Sequence, residues 1–304
     1  MRGTMEPQSD AQVFQAERPR LTGLAYRMLG SMADAEDVVS EAWLRFSAAT
    51  PGTVARPAAW LTTVTSRLAI DRIRAQQRRR EDYVGPWLPE PVPTPGAASA
   101  AGRPPEDPAA RAELSESLTL GFLVVLDRLG PTERAVFLLA DVFGEPYDDI
   151  ASAVGRSPEA CRQIASRARR RVREERGASH AADEALLTDL VTAIGIGDVQ
   201  GLISLLADDV VLTSDGGADR HAARRPVVGV DRVARFLVNL GARVPAGAVL
   251  GIEEVNSAPA LVVRAPSGDI VLTADGDASG RVCAVRMVLN PDKLGGLDRH
   301  PDLA

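Results

Sequence analysis

The chain has 304 residues, enough for two or three domains, and its hydrophobic share of 45% suits a globular protein. The formal net charge of −6 argues against a uniformly basic nucleic-acid binder, yet it hides two arginine-rich stretches, Arg56 to Arg80 and Arg156 to Arg176. Cys161 and Cys283 lie too far apart for a disulfide framework or a metal spacing, and both read as small buried residues.

Glu6 and Asp10 near the start, with no apolar core, do not suit a signal peptide, and no apolar run reaches membrane-spanning length. A cytoplasmic protein without membrane contact is expected. Residues 10 to 82 read as helical. Leu21, Leu24, Ala25, Met28 and Leu29 recur at helical spacing until Gly30 and Ser31 break the pattern. Asp34 is expected to cap a second helix that buries Ala35, Val38, Val39, Ala42, Trp43 and Phe46. Asp37 and Glu41, four apart, share its acidic face, with Arg45 the one arginine nearby. After a loop marked by Pro51, Gly52 and Pro57, a third helix runs from about Ala58 to Arg80 and becomes basic towards its end.

Residues 83 to 112 hold Pro86, Pro89, Pro91, Pro93, Pro95, Pro104, Pro105 and Pro108, the composition of an extended or mobile linker. Within it, Trp87-Leu88-Pro89-Glu90-Pro91 places two large apolar side chains where no core can form, so this island reads as an anchor that docks elsewhere. Residues 113 to 176 are helical again. Leu118, Phe122, Val125, Leu126 and Leu129 form one stripe, Gly130-Pro131 ends it, and Thr132 is expected to cap the next helix.

Residues 145 to 172 carry the clearest local signal. Ile150, Ala151 and Val154 face a core, Gly155 ends that helix, and Ser157-Pro158 opens another that runs to about Arg173. Cys161, Ile164, Ala165 and Ala168 line one stripe of it, while Arg162, Gln163, Ser166, Arg167, Arg169 and Arg170 fill the other faces. Two short helices around a glycine turn, the second basic and polar, form a helix-turn-helix that binds DNA. Arg162 and Gln163 suit base edges, and Arg169 and Arg170 suit phosphates.

After a short link at 177 to 182, residues 183 to 304 change character. Helices at Glu184 to Ile194, Val199 to Leu206 and after Asp231 accompany strands at Asp209 to Thr213, Val249 to Val255, Ala260 to Arg264, Asp269 to Ala274 and Arg281 to Leu289. Turns are expected at Ser257-Ala258-Pro259, Pro266-Ser267-Gly268 and Asp275-Gly276-Asp277. The expected fold is multidomain: two all-α units followed by an α+β unit with a curved antiparallel sheet. Asp209, Asp215 and His221 could serve an isomerase, but no tyrosine follows Tyr147 and the whole chain has 3 histidines, so a non-enzymatic role is expected, with no catalytic residue, metal or cofactor.

The segments AYRMLGS, DAEDVVSEAWLR, RPAAWLTTVTSRLAIDRIR and LDRLGPTERAVFLLADVFGEPYDDIASAVGRSPEACRQIASRARRRV, in that order, resemble regions 2 and 4 of an extracytoplasmic-function (ECF) sigma factor of bacterial RNA polymerase, in the sigma-70 family. The resemblance implies that residues 10 to 82 bind the polymerase beta-prime clamp helices and the promoter −10 element, and that 113 to 176 read the −35 element and touch the beta flap. It assigns Asp37 and Glu41 to the clamp, Arg67, Asp71, Arg74, Gln77 and Arg78 to the −10 element, and Arg156, Ser157, Glu159, Arg162, Gln163, Ser166, Arg167, Arg169 and Arg170 to the −35 element. The C-terminal part resembles the SnoaL-like, nuclear-transport-factor-2-like cone.

WLPEP, the loop DGGADR at Asp215, Gly216, Gly217, Ala218, Asp219 and Arg220, and Asn290-Pro291-Asp292-Lys293-Leu294 are similar to signatures of the group 41, sigma-J type, which carries such an extension. Ala218 stands where that type has a third glycine. The resemblance implies regulation in cis, no dedicated anti-sigma factor, and an extension whose small-molecule ligand, if it has one, is unknown. Trp87 to Pro91 are expected to dock near Asn290 to Leu294.

Overall fold

A computed structural model describes residues 9–49, 53–80, 83–94 and 114–297. The loop markers Pro51 and Gly52 and the linker prolines Pro95, Pro104, Pro105 and Pro108 lie outside the described residues.

Helix α1 (Asp10–Leu29) starts at a capping box between Ser9 and Gln12 and stops at Gly30, whose φ of 67° needs no Cβ. Helix α2 (Met32–Ser47) is capped by Ser31, whose hydroxyl accepts from the Asp34 amide at 3.3 Å. The expected cap, Asp34, instead sits in the first turn. The extended backbone at Ser31, directly after the left-handed glycine, fixes the helix start three residues earlier. The Asp34 carboxylate accepts from Arg72 at 2.7 Å and Gln76 at 2.5 Å on α3 (Pro57–Arg80). An aromatic chain, Phe14–Trp43–Phe46–Trp60, with centroid spacings of 4.8, 6.3 and 5.6 Å, ties the three helices together.

The stripe expected from Leu118 is shorter than a single long helix. Thr119 caps α4 (Leu120–Asp127), accepting from the Phe122 amide at 3.2 Å. Helix α5 (Pro131–Phe137) is capped by Gly130, not Thr132, because Pro131 already occupies the first helical position; Glu133 accepts from the Gly130 amide at 3.1 Å. A π-helical turn, Leu138–Val142, follows. The helix-turn-helix is then α6 (Tyr147–Val154), Gly155 at φ 67°, and α7 (Pro158–Arg176), which runs three residues beyond the expected end. Ser157 caps α7, accepting from the Ala160 amide at 3.2 Å. The two helical units do not have separate cores: one apolar cluster runs from Phe14 and Leu24 through Leu61 and Ile70 to Leu126, Leu138, Ile150 and Val172.

The C-terminal unit contains β1 (His180–Ala181), α8 (Glu184–Ile196), α9 (Val199–Leu205), β2 (Leu206–Asp215), β3 (Val227–Val228), α10 (Val230–Gly241), β4 (Val249–Val255), β5 (Ala258–Arg264), β6 (Ile270–Gly276) and β7 (Val282–Val288). Strand order is β3-β2-β7-β6-β5-β4, with β1 on β6. The sheet is mixed rather than antiparallel, since β2 and β7 run parallel, with Leu212 beside Val285. The β4–β5 turn is Asn256-Ser257, both at positive φ (54° and 59°), so Ala258 and Pro259 belong to the strand. The last turn also shifts along the chain: Asp277 accepts from the Ser279 and Arg281 amides, so the reversal spans 277 to 280.

Leu261, Val263, Leu272, Ala274, Val285 and Met287 fill the cone with Leu187, Leu190, Val233 and Leu237 from its helices. The alternate residues, Ala260, Val262, Val271 and Val288, are equally apolar and face outwards, where Leu88, Val124, Leu294 and Leu297 cover them. The sheet therefore has no wet face here: its outer surface is the seat of the linker and of α4.

Candidate functional site: two basic surfaces and a linker hub

Arg156 in the turn and Glu159, Arg162, Gln163, Ser166, Arg167 and Arg170 on α7 are exposed. Ser157 is also exposed, but its oxygen is used as the helix cap. Arg162 lies 5.3 Å from the Tyr147 ring centroid and 3.4 Å from Glu159. Arg169 does not suit the free phosphate contact expected of it. It is half-buried, donates to Asp141 at 2.6 Å and to Tyr147 Oη at 3.2 Å, and so fixes α7 against the helices before it.

Asp37 and Glu41 lie on one face of α2. Glu41 pairs with Arg45 at 2.9 Å, and Asp37 pairs with Arg72 at 2.7 Å. Sequence spacing within α2 pointed to Arg45 alone and missed Arg72, which arrives from α3. Along α3, Asp71 and Arg74 pair with each other at 3.1 Å, and Gln77 and Arg78 are exposed. Arg67 is turned towards the helix-turn-helix, where it donates to the carbonyls of Ser152 at 2.6 Å and Ala153 at 3.2 Å.

WLPEP and NPDKL come together around Asp215, a fully buried carboxylate at the end of β2. Its oxygens accept from Tyr83 Oη at 2.6 Å, the Leu88 amide at 2.8 Å, the Gly217 amide at 3.1 Å and Lys293 Nζ at 2.6 Å. Lys293 also donates to the Leu88 carbonyl at 2.5 Å and sits 4.1 Å from the Trp87 ring centroid. Asn290 donates to Tyr83 Oη at 2.9 Å, and Leu294 is buried beside Leu88. Pro291 and Asp292 form the short 3₁₀ turn that presents Lys293. Burial, with Asp215 accepting its proton, pushes the Tyr83 hydroxyl above the ordinary tyrosine range.

Gly216 and Gly217 are both needed: a Cβ on Gly216 would stand 2.5 Å from the Arg220 carbonyl, and Gly217, at φ 62°, abuts the Asn290 side chain. Ala218 keeps negative φ, so the missing third glycine costs this backbone nothing.

The other side of the linker is tied to α1 and α2. Glu90 donates its amide to the Gly30 carbonyl at 2.8 Å, and its side chain accepts from the Met32 amide at 2.8 Å. Pro89 and Pro91 are buried on either side of it. A Cβ on Gly30 would lie 2.6 Å from Trp87. The turn residue Asn256 is fully buried where all parts meet: it accepts from the Val92 amide at 2.9 Å and donates to Tyr26 Oη at 2.6 Å and the Leu118 carbonyl at 3.0 Å. Sequence reading missed Tyr83, Asn256 and Tyr26. An asparagine heading a two-residue turn was the one available signal.

The isomerase candidates do not form a site. Asp209 and His221 are exposed, and Asp215 belongs to the hub outside the cone. Cys161 is buried and Cys283 only half-buried, so the expectation for the second holds in part. Among the described residues no cluster of potential metal ligands occurs, and no helix is long and apolar enough to cross a membrane.

Residues 13–79 match the family described as Sigma-70 region 2, and residues 121–172 match Sigma-70, region 4. "ECF RNA polymerase sigma factor SigJ" of Mycobacterium tuberculosis is 38% identical, covering 93% of this chain and 92% of that protein. "Probable ECF RNA polymerase sigma factor SigI" of the same species is 34% identical over 93% of this chain and 94% of its own length. The crystal structure of the M. tuberculosis SigJ protein superposes with a TM-score of 0.72 at 35% identity, covering 94% of this chain and 98% of that one. The two basic surfaces are thus those of regions 2 and 4, the parts that engage core RNA polymerase and promoter DNA, and the chain belongs to the ECF sigma factors of the sigma-70 family, with an additional C-terminal domain.

Proposed function

We propose that this sigma factor is held closed by its own C-terminal domain, with the linker hub as the clasp. One observation carries the reading: regions 2 and 4 share a single apolar core. A compact body of their combined size is about 40 Å across. The −10 and −35 elements are separated by about 80 Å of B-DNA at roughly 3.4 Å per base pair. Both readers cannot reach their elements from this arrangement, so promoter binding requires them to part.

In this reading 10 to 82 is region 2, 83 to 112 the linker, 113 to 176 region 4 and 183 to 304 the regulatory domain. Asp37 and Glu41 engage the clamp helices, and region 4 meets the beta flap. Arg67, Asp71, Arg74, Gln77 and Arg78 serve the −10 element. The exposed residues of α7 serve the −35 element, with Arg169 positioning the helix. The clasp takes the place of a dedicated anti-sigma factor, and in this reading the extension is regulatory rather than catalytic: among the described residues the cone is filled by aliphatic side chains.

Run-off transcription with core polymerase tests this. Removal of 183 to 304 should raise activity, and a cut just before Asn290 should release the linker while leaving the sheet in place. Unchanged activity in both would rule out control in cis. A second reading, ligand-responsive control, draws on a crevice of about 250 Å³ between Val84-Gly85 of the linker and Ser214, Arg220, His221 and Arg224. Arg220 and Arg224 outweigh Asp219 in its lining and suit a small anion. A thermal shift with inorganic phosphate that Arg224→Ala abolishes would favour it.

A further inference from the structure

We propose that Arg67 is shared between two mutually exclusive partners, and that helix α6 of region 4 competes with the −10 DNA strand for it. The inference rests on the reading of region 2 given above and adds the internal ligand that occupies its surface.

Helix α6 ends at Val154, where Gly155 turns the chain, so its last carbonyls lack intrahelical donors and carry the negative end of the helix dipole. The Arg67 guanidinium fills that position, with Nη2 on the Ser152 carbonyl at 2.6 Å and Nε on the Ala153 carbonyl at 3.2 Å. These are the forked donors an arginine offers to phosphate and base acceptors.

Two further arginines of region 2 hold the same element. Arg56 makes a bidentate pair with Asp149 at 2.9 and 2.7 Å, and Arg20 joins Glu145 at 2.8 Å while donating to Thr62 at 2.6 Å. The segment Glu145-Pro146-Tyr147-Asp148-Asp149 thus presents two carboxylates, Glu145 and Asp149, to the basic side of region 2, as the phosphates of a nucleic-acid backbone would.

The test uses the full chain and a fluorescein-labelled, A/T-rich single-stranded DNA. Glu145→Gln with Asp149→Asn removes two ion pairs from the region 4 side without touching an assigned DNA or polymerase residue. It should raise affinity for the strand by about tenfold, the sum of two partly exposed pairs. Amide hydrogen exchange over 150 to 154 should quicken in parallel, and adding Arg67→Met should abolish the gain in affinity. Arg56→Gln, made from the other side of the seam, should reproduce half of the logarithmic gain. Faster exchange with unchanged DNA affinity overturns the competition, and unchanged exchange overturns the latch. No DNA binding by any form, the polymerase-bound one included, would sink the −10 assignment itself and the proposal with it.

Discussion

Lys293→Met should open the clasp. In the native hub Lys293, 12% exposed, faces the fully buried Asp215 at 2.6 Å. Removing one partner of a buried pair costs about 3–5 kcal/mol, because the other charge is left without compensation. Asp215 would keep three neutral donors, Tyr83 Oη, the Leu88 amide and the Gly217 amide, which places the loss near the lower end of that range. The Leu88 carbonyl loses its donor and Trp87 loses a cation 4.1 Å from its ring, worth about 1 kcal/mol more at such a site. The thioether restores some apolar contact. A net loss of about 3–4 kcal/mol multiplies the undocked population by about 10²–10³ at 1.4 kcal/mol per decade. Limited proteolysis within 83 to 94 reads that population when reclosing is faster than cleavage. Adding Asp215→Asn removes the stranded charge, so the double variant should be cut more slowly than Lys293→Met alone. A cleavage rate within threefold of wild type, or costs of the two changes that simply add, would refute the hub as a coupled pair.

Burial holds the Glu90 carboxyl above its ordinary range, so its contribution to docking is fully present below the unfolded value of about 4.3 and fades as pH rises through the folded one; Glu90→Gln should therefore flatten the loss of stability as pH rises above about 4.3 in urea titrations. Gly121→Ala should add about 1 kcal/mol of helix propensity to α4 yet weaken docking, because its Cβ would stand 2.5 Å from Asp275 Oδ2; a variant that is more stable in full-length form and equally closed by small-angle scattering would contradict the close approach. Arg162→Ala should relax −35 preference, measured by competition between promoter fragments, whereas Arg170→Ala should lower affinity evenly and reduce the salt slope by about one. Equal effects of the two across promoters would remove Arg162 from base readout.

How much was legible follows the range of each interaction. The helix-turn-helix is written locally: Gly155 for the left-handed turn, Ser157 for the cap and Pro158 for the first turn each act within three residues. The clasp was legible in outline because Trp87 and Leu88 are too apolar for a proline-rich linker and need a seat. Cap positions were misread at Asp34 and Thr132, where two residues could each cap and only the preceding backbone chooses. The parallel pairing of β2 with β7 bridges some seventy residues and leaves no periodic trace, and β1 and β3 are too short to alternate. The resemblance assigns Arg67 to DNA, but its place beside α6 was not legible, because its closed-state partners are backbone carbonyls, which carry no residue signature.

The interfaces that close the chain differ in kind, and the difference indicates where it opens. The seat of the linker and α4 on the sheet is mainly apolar and buries two ion pairs, Asp215–Lys293 and Asp275–Arg286. Separating it would expose Val262, Val271 and Val288 together with Leu88 and leave buried charges to be rehydrated. Among the described residues, the seam between α3 and α6 is held by arginines at its edge. Arg56 is 68% exposed and pairs with a single carboxylate, a contact worth at most about 1 kcal/mol in water and weakened by salt. Its interior is apolar: Ile150, Ala151 and Ala153 of α6 belong to the same buried cluster as Leu61, Ile70 and Ile73 of α3. Salt therefore weakens the exposed ion pairs at the edge of the α3–α6 seam and leaves the apolar contacts of both interfaces in place.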